Sequence, residues 1–244
     1  MENRQEIAVG RGETGTAMVE ARVDPPPGRV ERRKARTRQR ILEVAETLVR
    51  ERSVEAVTLD DIADAADIAR RSFYHHFDSK HDILVPIARA HTRSLNRRID
   101  LLIEKLPDPA EVVAVGLRHT LRGFVADPLC AWFILHSGLP HDRLREGIGE
   151  SAARDLERGV HTGRFQLPNQ TVLGDIFSGA IVGVLSAYLR NTLTEADLDD
   201  VAEYALRLLG LPRSEAHEIA HRPLPPLPAD PGEPARHTDP ITTE

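Results

Sequence analysis

Two short stretches of the chain concentrate side chains able to do chemistry. Residues 66–84 read ADIARRSFYHHFDSKHDIL, with two arginines, three aromatics and two adjacent histidines in the eight positions 70–77. His75 and His76 raise a metal site, while Arg70, Arg71 and Tyr74 raise a phosphate-rich partner. An amphipathic helix with a decorated surface would account for the same composition. The second stretch, HEIAH (217–221), matches His-Glu-x-x-His, in which two histidines at i, i+4 share a zinc and the glutamate serves as general base.

The metal reading is weak at both places. Neighbours on a helix point about 100° apart, so His75 and His76 do not converge on one ion; a helical site uses the i, i+4 spacing. HEIAH has that spacing, but RPLPP follows at once and no Gly-x-x-His extension appears. A third ligand would have to come from a Pro-rich tail. No Gly-rich phosphate loop and no Gly-x-Ser-x-Gly elbow occur. The chain is therefore expected to have no catalytic residues, no bound metal and no cofactor. A zinc-dependent hydrolase built on HEIAH is kept as the alternative. A helical interaction module whose basic arm binds acidic protein is another.

The elements that position the first stretch are helical. Ile41, Val44, Ala45, Leu48 and Val49 recur at spacings of three and four, which makes one apolar face. Thr58 and Asp61 form a capping box at the start of a second helix that ends near Ala66, and Ser79 with Asp82 repeats the device at 79–82. Three short helices then occupy 41–77, the last two separated by a turn at Asp67–Ala69, which is helix-turn-helix spacing. From 91 to 210 helices continue, broken at LPDP (106–109), DPL (127–129), SGLP (137–140) and QLPN (166–169). No period-2 strands occur, so the fold class is all-α.

The 244 residues carry 41% hydrophobic and 29% charged side chains, an ordinary globular composition. The net charge of −6 hides an asymmetry: RVERRKARTRQR (29–40) holds seven basic residues and one acidic, an electrostatic arm suited to nucleic acid. The single cysteine, Cys130, forms no internal disulfide and suits a reducing compartment. With no secretory apolar run at its start, the chain is expected in the cytoplasm. The most apolar segment, 176–189, reads as too short for a bilayer, so no membrane partner is expected. Residues 1–28, which include Pro25–Pro27, and 212–244, which hold eight of the 17 prolines, are expected to be disordered tails.

The run TLDDIADAADIARRSFYHHFDSKHDIL (58–84), extended back to RKARTRQRILEVAETLVRERSVEAV, resembles the DNA-binding region of TetR-family transcriptional regulators over about residues 33–84. The residue chemistry agrees. A recognition helix places donors at base edges and keeps register through phosphate contacts. Arg70 and Arg71 stand at its start, where arginine suits guanine O6 and N7. Ser72, Tyr74 and His75 follow as contacts, while Phe73 and Phe77 fix the helix to the core. Arg36 in the basic arm, Thr58, and Lys80 at the start of the fourth helix are assigned to phosphates. The chain departs from the family pattern in its turn, where Asp67 and Ala69 replace the usual glycine and Ser/Thr cap.

The resemblance implies a helix-turn-helix domain at 29–84 and an effector-binding and dimerisation domain at 85–211. It implies a homodimeric repressor that a small molecule releases from a palindromic double-stranded operator. Phe124, Trp132, Phe133, His136 and His119 are the candidate effector-pocket residues, mostly apolar with a few polar groups. Gly179, Gly183 and Ala187 make a small-residue stripe. With Ile176, Ala180 and Val184, and with Val201, Ala205 and Leu208 on the last helix, they are the candidate dimer interface.

Overall fold

The computed structural model describes residues 28–136, 154–166 and 169–230. The expectations for 1–27, for the break at 137–140 and for 231–244 lie outside them. Every regular element among the described residues is a helix: α1 (Arg29–Arg52), α2 (Leu59–Ala65), α3 (Arg70–Phe73), α4 (Lys80–Ile103), α5 (Pro109–Ala126), α6 (Pro128–His136), α7 (154–161), α8 (Gln170–Leu189), α9 (Asp197–Leu208) and α10 (Arg213–Ala220).

The first three helices form where their caps and apolar spacing dictate. In α1 the buried positions are Ile41, Ala45, Leu48 and Val49, and the basic turns before Ile41 stand in solvent. Thr58 caps α2: its Oγ1 accepts from Asp61 N at 3.1 Å, while Asp61 Oδ2 accepts from Thr58 N at 2.9 Å. Ser79 caps α4 by accepting from Asp82 N. Ile83, Leu84, Ile87 and Ala88 of α4 then pack in one core with Phe73 and Phe77 from below, and with Leu121, Phe124, Phe133 and Leu185 of α5, α6 and α8 from above.

The end of α9 turns the chain back on itself. Gly210 takes φ +95, its N–H bonds to Arg207 O, and Leu211 N–H bonds to Leu206 O. This paired arrangement is a Schellman cap, which favours glycine at the left-handed position. α10 follows and buries Ala216, Ile219 and Ala220 against α9 and α5.

The expected disorder from residue 212 is therefore wrong for 212–230. Beyond α10, the Pro-rich segment lies across α4 and α5 as an extended strap. Its carbonyls have no helical donors, and side chains supply them instead: Arg118 Nη1 donates to Arg222 O at 2.8 Å, His119 Nε2 donates to Pro225 O at 2.9 Å, and Arg98 Nε donates to Pro228 O at 2.7 Å. Leu224 and Leu227 pack on Ile99, Ile103, Val112 and Val115. Composition alone suggested disorder, but an extended segment needs only a receptive surface to become ordered.

α8 also differs from expectation. Its apolar stretch begins at Val172 rather than Ile176, and the 18 residues Val172–Leu189 have a mean hydropathy of 1.8, enough by length and composition to cross a membrane. Only 22% of that window is buried inside the protomer.

One polar bridge ties the reader to the body. His91 of α4 places Nδ1 2.6 Å from Asp127 Oδ2 and Nε2 3.1 Å from Glu46 Oε1 of α1. The hydrogen bond to Asp127 raises the pKa of His91 against the opposing effect of burial, and both carboxylates favour the imidazolium. A folded pKa above the unfolded 6.5 makes this stabilisation complete below about pH 6.5. It is lost as pH rises through the higher folded value. His91→Gln should therefore lower the unfolding free energy by about 2 kcal/mol at pH 6. The gap to wild type should narrow as pH rises, as followed by urea denaturation at several pH values.

Candidate nucleic-acid interface

The helix-turn-helix is built as its spacing required. Asp67 adopts φ +54 in the turn, a left-handed geometry that Asp tolerates better than most residues. Ala69 stands at the N-cap of α3 with no side-chain hydrogen bond, and Asp67 does not take over that role. α3 is accordingly a single turn, and its C-terminal neighbours continue in turn conformation. Phe73 and Phe77 are buried at 1% and 3% exposure, with ring centroids 6.5 Å apart. This anchoring leaves Arg71, Ser72, Tyr74 and His75 outward and exposed.

Other assigned residues have partners in the free protein. Arg70 Nη2 lies 3.0 Å from Asp60 Oδ2 of α2. Lys80 Nζ donates to the Val54 carbonyl, and an ammonium keeps two further donors for a phosphate. Thr58 Oγ1 donates to Asp61 Oδ2 at 2.6 Å. Arg36 is exposed on α1. His76 packs beside α1, where burial first, then Lys34 and Arg38, lower its pKa, and its Nδ1 has no hydrogen-bond partner.

Sequence reasoning missed a basic groove next to α3. Arg38, His76, His81, Arg89 and Arg93 line about 590 Å³ between α1 and α4. Arg38 also lies over the Phe77 ring at 4.8 Å. The signal available was the i, i+4 pair Arg89 and Arg93, which becomes informative once α4 is known to face α1.

HEIAH falls on the ordered α10, not on a tail, so that ground for discounting it fails. Glu218 of that motif is exposed and its Oε1 accepts from Arg222 Nη2 at 2.9 Å; the carboxylate that meets His217 is Glu203 of α9.

Residues 41–86 match the family model for bacterial regulatory proteins of the tetR family, and residues 108–222 match that for the tetracyclin repressor-like C-terminal domain. The HTH-type transcriptional repressor KstR2 of Rhodococcus jostii (strain RHA1) is 33% identical over 187 residues, covering 76% of this chain and 80% of that protein. This chain belongs to the TetR family. The HTH-type transcriptional regulator SrpR of Pseudomonas putida is 29% identical over 174 residues, 68% of this chain and 81% of SrpR. The crystal structure of RolR in complex with resorcinol is 32% identical with a TM-score of 0.71, covering 80% of this chain and 98% of RolR. The C-terminal match runs to residue 222 and so takes in α10. As a TetR-family regulator the protein is a DNA-binding protein and not an enzyme.

In this TetR-family chain the five candidate pocket residues do not form one site. Phe124 and Phe133 lie in the α4–α5–α6–α8 core. His119 is buried and committed to Pro225 O; burial, the largest influence, pulls its pKa down. Trp132 is half-buried at the edge, with His136 stacked on it at 5.6 Å and 14° and His81 at 6.0 Å.

The dimer candidates divide more simply. Ile176, Gly179, Ala180, Gly183 and Leu208 are exposed, Val184, Ala187 and Val201 are half-buried, and Ala205 is 4% exposed within the protomer's own core. Burial against its own chain removes Ala205 from an open face. Val172, Leu189 and Tyr204 add exposed apolar surface that the sequence reading did not include. A Cβ built on Gly179 or Gly183 meets nothing within 4 Å.

The uncapped α3 yields a direct check. Ala69→Ser supplies the missing cap and should raise the unfolding free energy by about 1 kcal/mol, read by chemical denaturation. It should leave the far-UV circular dichroism of the longer helices unchanged.

Proposed function

We propose that this TetR-family protein is a homodimeric repressor that a small molecule releases from a palindromic operator, acting in the cytoplasm. The observation that carries the reading is the outward face of α3. Arg71, Ser72, Tyr74 and His75 are exposed there on a helix whose other face is locked by Phe73 and Phe77. Arg70 would leave Asp60 for a guanine edge on binding. Arg36, Thr58, Lys80 and the groove arginines would hold phosphates.

A second copy supplies the symmetry. One reader covers a half-site, and a two-fold dimer reaches the next major groove one helical turn away. The open apolar faces of α8 and α9, built around Ile176, Gly179, Ala180, Gly183, Val184, Ala187, Val201 and Leu208, are the surface for that contact. Large exposed apolar patches of this kind mark association surfaces.

The effector would enter the apolar seam between α5, α6 and α8 at its α6 edge, where Trp132 is half-buried and His136 stacks on it as the candidate polar group. Phe124 and Phe133 would form its apolar floor from the core, while His119 stays with Pro225 O. RolR binds resorcinol, so a small phenol is the first effector class to try. An effector that favours mis-spaced readers lowers operator affinity by its differential affinity for the two states. α4 is the lever, since it packs on both α1 and α5–α6.

A footprint of the purified protein on DNA flanking its gene should show a protected pseudo-palindrome. Arg71→Ala and Tyr74→Phe should each weaken protection about tenfold. Lys80→Ala should reduce the salt slope by about one. Gly179→Leu fits the protomer but fills the open stripe. It should give a folded monomer by analytical ultracentrifugation and lose tight operator binding. Trp132 is the only tryptophan, so its emission should shift when resorcinol binds and stay constant if the seam takes no ligand.

A further inference from the structure

The α9–α10 seam carries a constellation that DNA binding leaves unused. Ala202 and Leu206 of α9, with Ala216, Ile219 and Ala220 of α10, are buried in one cluster and hold the two helices together. At the solvent edge of the seam, Glu203 of α9 meets His217 and His221, which stand one turn apart on α10. Each offers a ligand atom, and these atoms all lie within 4.8 Å of one another. The imidazole rings face each other at 4.2 Å between centroids.

The hydrogen bonds around the rings suit a cation. Glu203 Oε2 lies 2.7 Å from His217 Nδ1. His221 Nδ1 is 3.0 Å from the His217 carbonyl, and its Nε2 is 3.2 Å from Asp200 Oδ1. A neutral imidazole has one N–H, so His221 cannot donate to both oxygens. With Nδ1–H given to the carbonyl, Nε2 is turned toward the Asp200 carboxylate, a position that either a proton or a metal cation fills. The carbonyl also fixes ring orientation, as the supporting contacts of metal-bound histidines do.

We propose that His217, His221, Glu203 and Asp200 form a zinc-class metal site that clamps α10 onto α9. Two nitrogens and two oxygens suit zinc and its first-row neighbours rather than magnesium or calcium, which take oxygen ligands. Four protein ligands leave no open coordination position, the arrangement of structural zinc. Tetrahedral ligands at zinc distances stand about 3.3 Å apart; the ligand atoms of Glu203, His217 and His221 would close from within 4.8 Å of one another, and Asp200 would join from its place 3.2 Å from His221 Nε2. Glu203 is held at 8% exposure, while the His217 side chain, 63% exposed, leaves an entry path.

A second group, His91, Asp127 and Cys130, has similar spacing but poor chemistry. Cys130 is 2% exposed and burial pushes its thiol up to about 12, so the group offers neither a thiolate nor an open approach.

Titration calorimetry of the full chain, free of any affinity tag, with zinc chloride tests the site. One zinc per chain should bind, magnesium chloride should not, and zinc should raise the melting temperature. His217→Gln and Glu203→Gln should each weaken zinc at least tenfold and abolish the thermal shift, while Cys130→Ser should retain both. Circular dichroism confirms that the variants fold, and exposed His217 is the substitution least able to disturb the core. The proposal is overturned if wild type takes no zinc, if binding survives His217→Gln with His221→Gln, if Cys130→Ser alone removes it, or if zinc binds without a thermal shift.

Discussion

The structure depends on one apolar face of α4 serving two neighbours at once. Ile83, Leu84, Ile87 and Ala88 are in the same buried cluster as Phe73 and Phe77 of the reader and as Leu121, Phe124 and Phe133 of the body. Each large side chain there contributes about 1.5–3 kcal/mol by burial, and close packing leaves few voids to absorb a shift. The reader therefore cannot tilt alone. A displacement of α4 driven from the α5–α6 side is passed to Phe73 and Phe77, and so to the exposed side chains of α3. The division at residue 84 is one of role, because the core runs through it.

Polar contacts determine where the rest of the chain lies on that core. Arg118, 4% exposed, donates through Nε and Nη2 to Asp199 at 2.7 and 3.2 Å, and Arg122 Nη2 adds 2.8 Å. Burial alone would raise the Asp199 carboxyl, but the bonds from Arg118 and Arg122 hold it below the usual range. Arg164 joins Asp108 at the start of α5 to Glu215 at the start of α10. Pairs this enclosed add little net stability against apolar replacements. Breaking one partner would strand a charge, so they define the register of α9, α10 and the strap on α5.

The apolar composition of α8 is the opposite case, a surface without an interior to match it. Its outward residues, Val172, Ile176, Gly179, Gly183 and Leu189, have no packing counterpart among the described residues. Glycines there cost helix stability, about 1 kcal/mol each relative to alanine. Nothing among the described residues compensates for that cost, whereas close approach of another helix would.

By itself the sequence determined what depends on neighbours along the chain. The capping box at Thr58, the side-chain cap at Ser79, the i, i+4 anchors Phe73 and Phe77, the turn at Asp67 and the all-helical class are local. Each was legible because its hydrogen bonds and periodicity lie within one or two turns. What the sequence could not decide depends on distant partners. The Pro-rich segment from 221 is ordered because Arg98, Arg118 and His119, more than a hundred positions earlier, donate to its carbonyls. His119 and Phe124 looked like pocket residues by type, but one is taken by that strap and the other by the core. His217 and His221 needed α9 folded back through Gly210 before Glu203 and Asp200 could face them. Composition cannot show such encounters, because long-range contacts are set by how the helices pack and not by the order of residues in the chain.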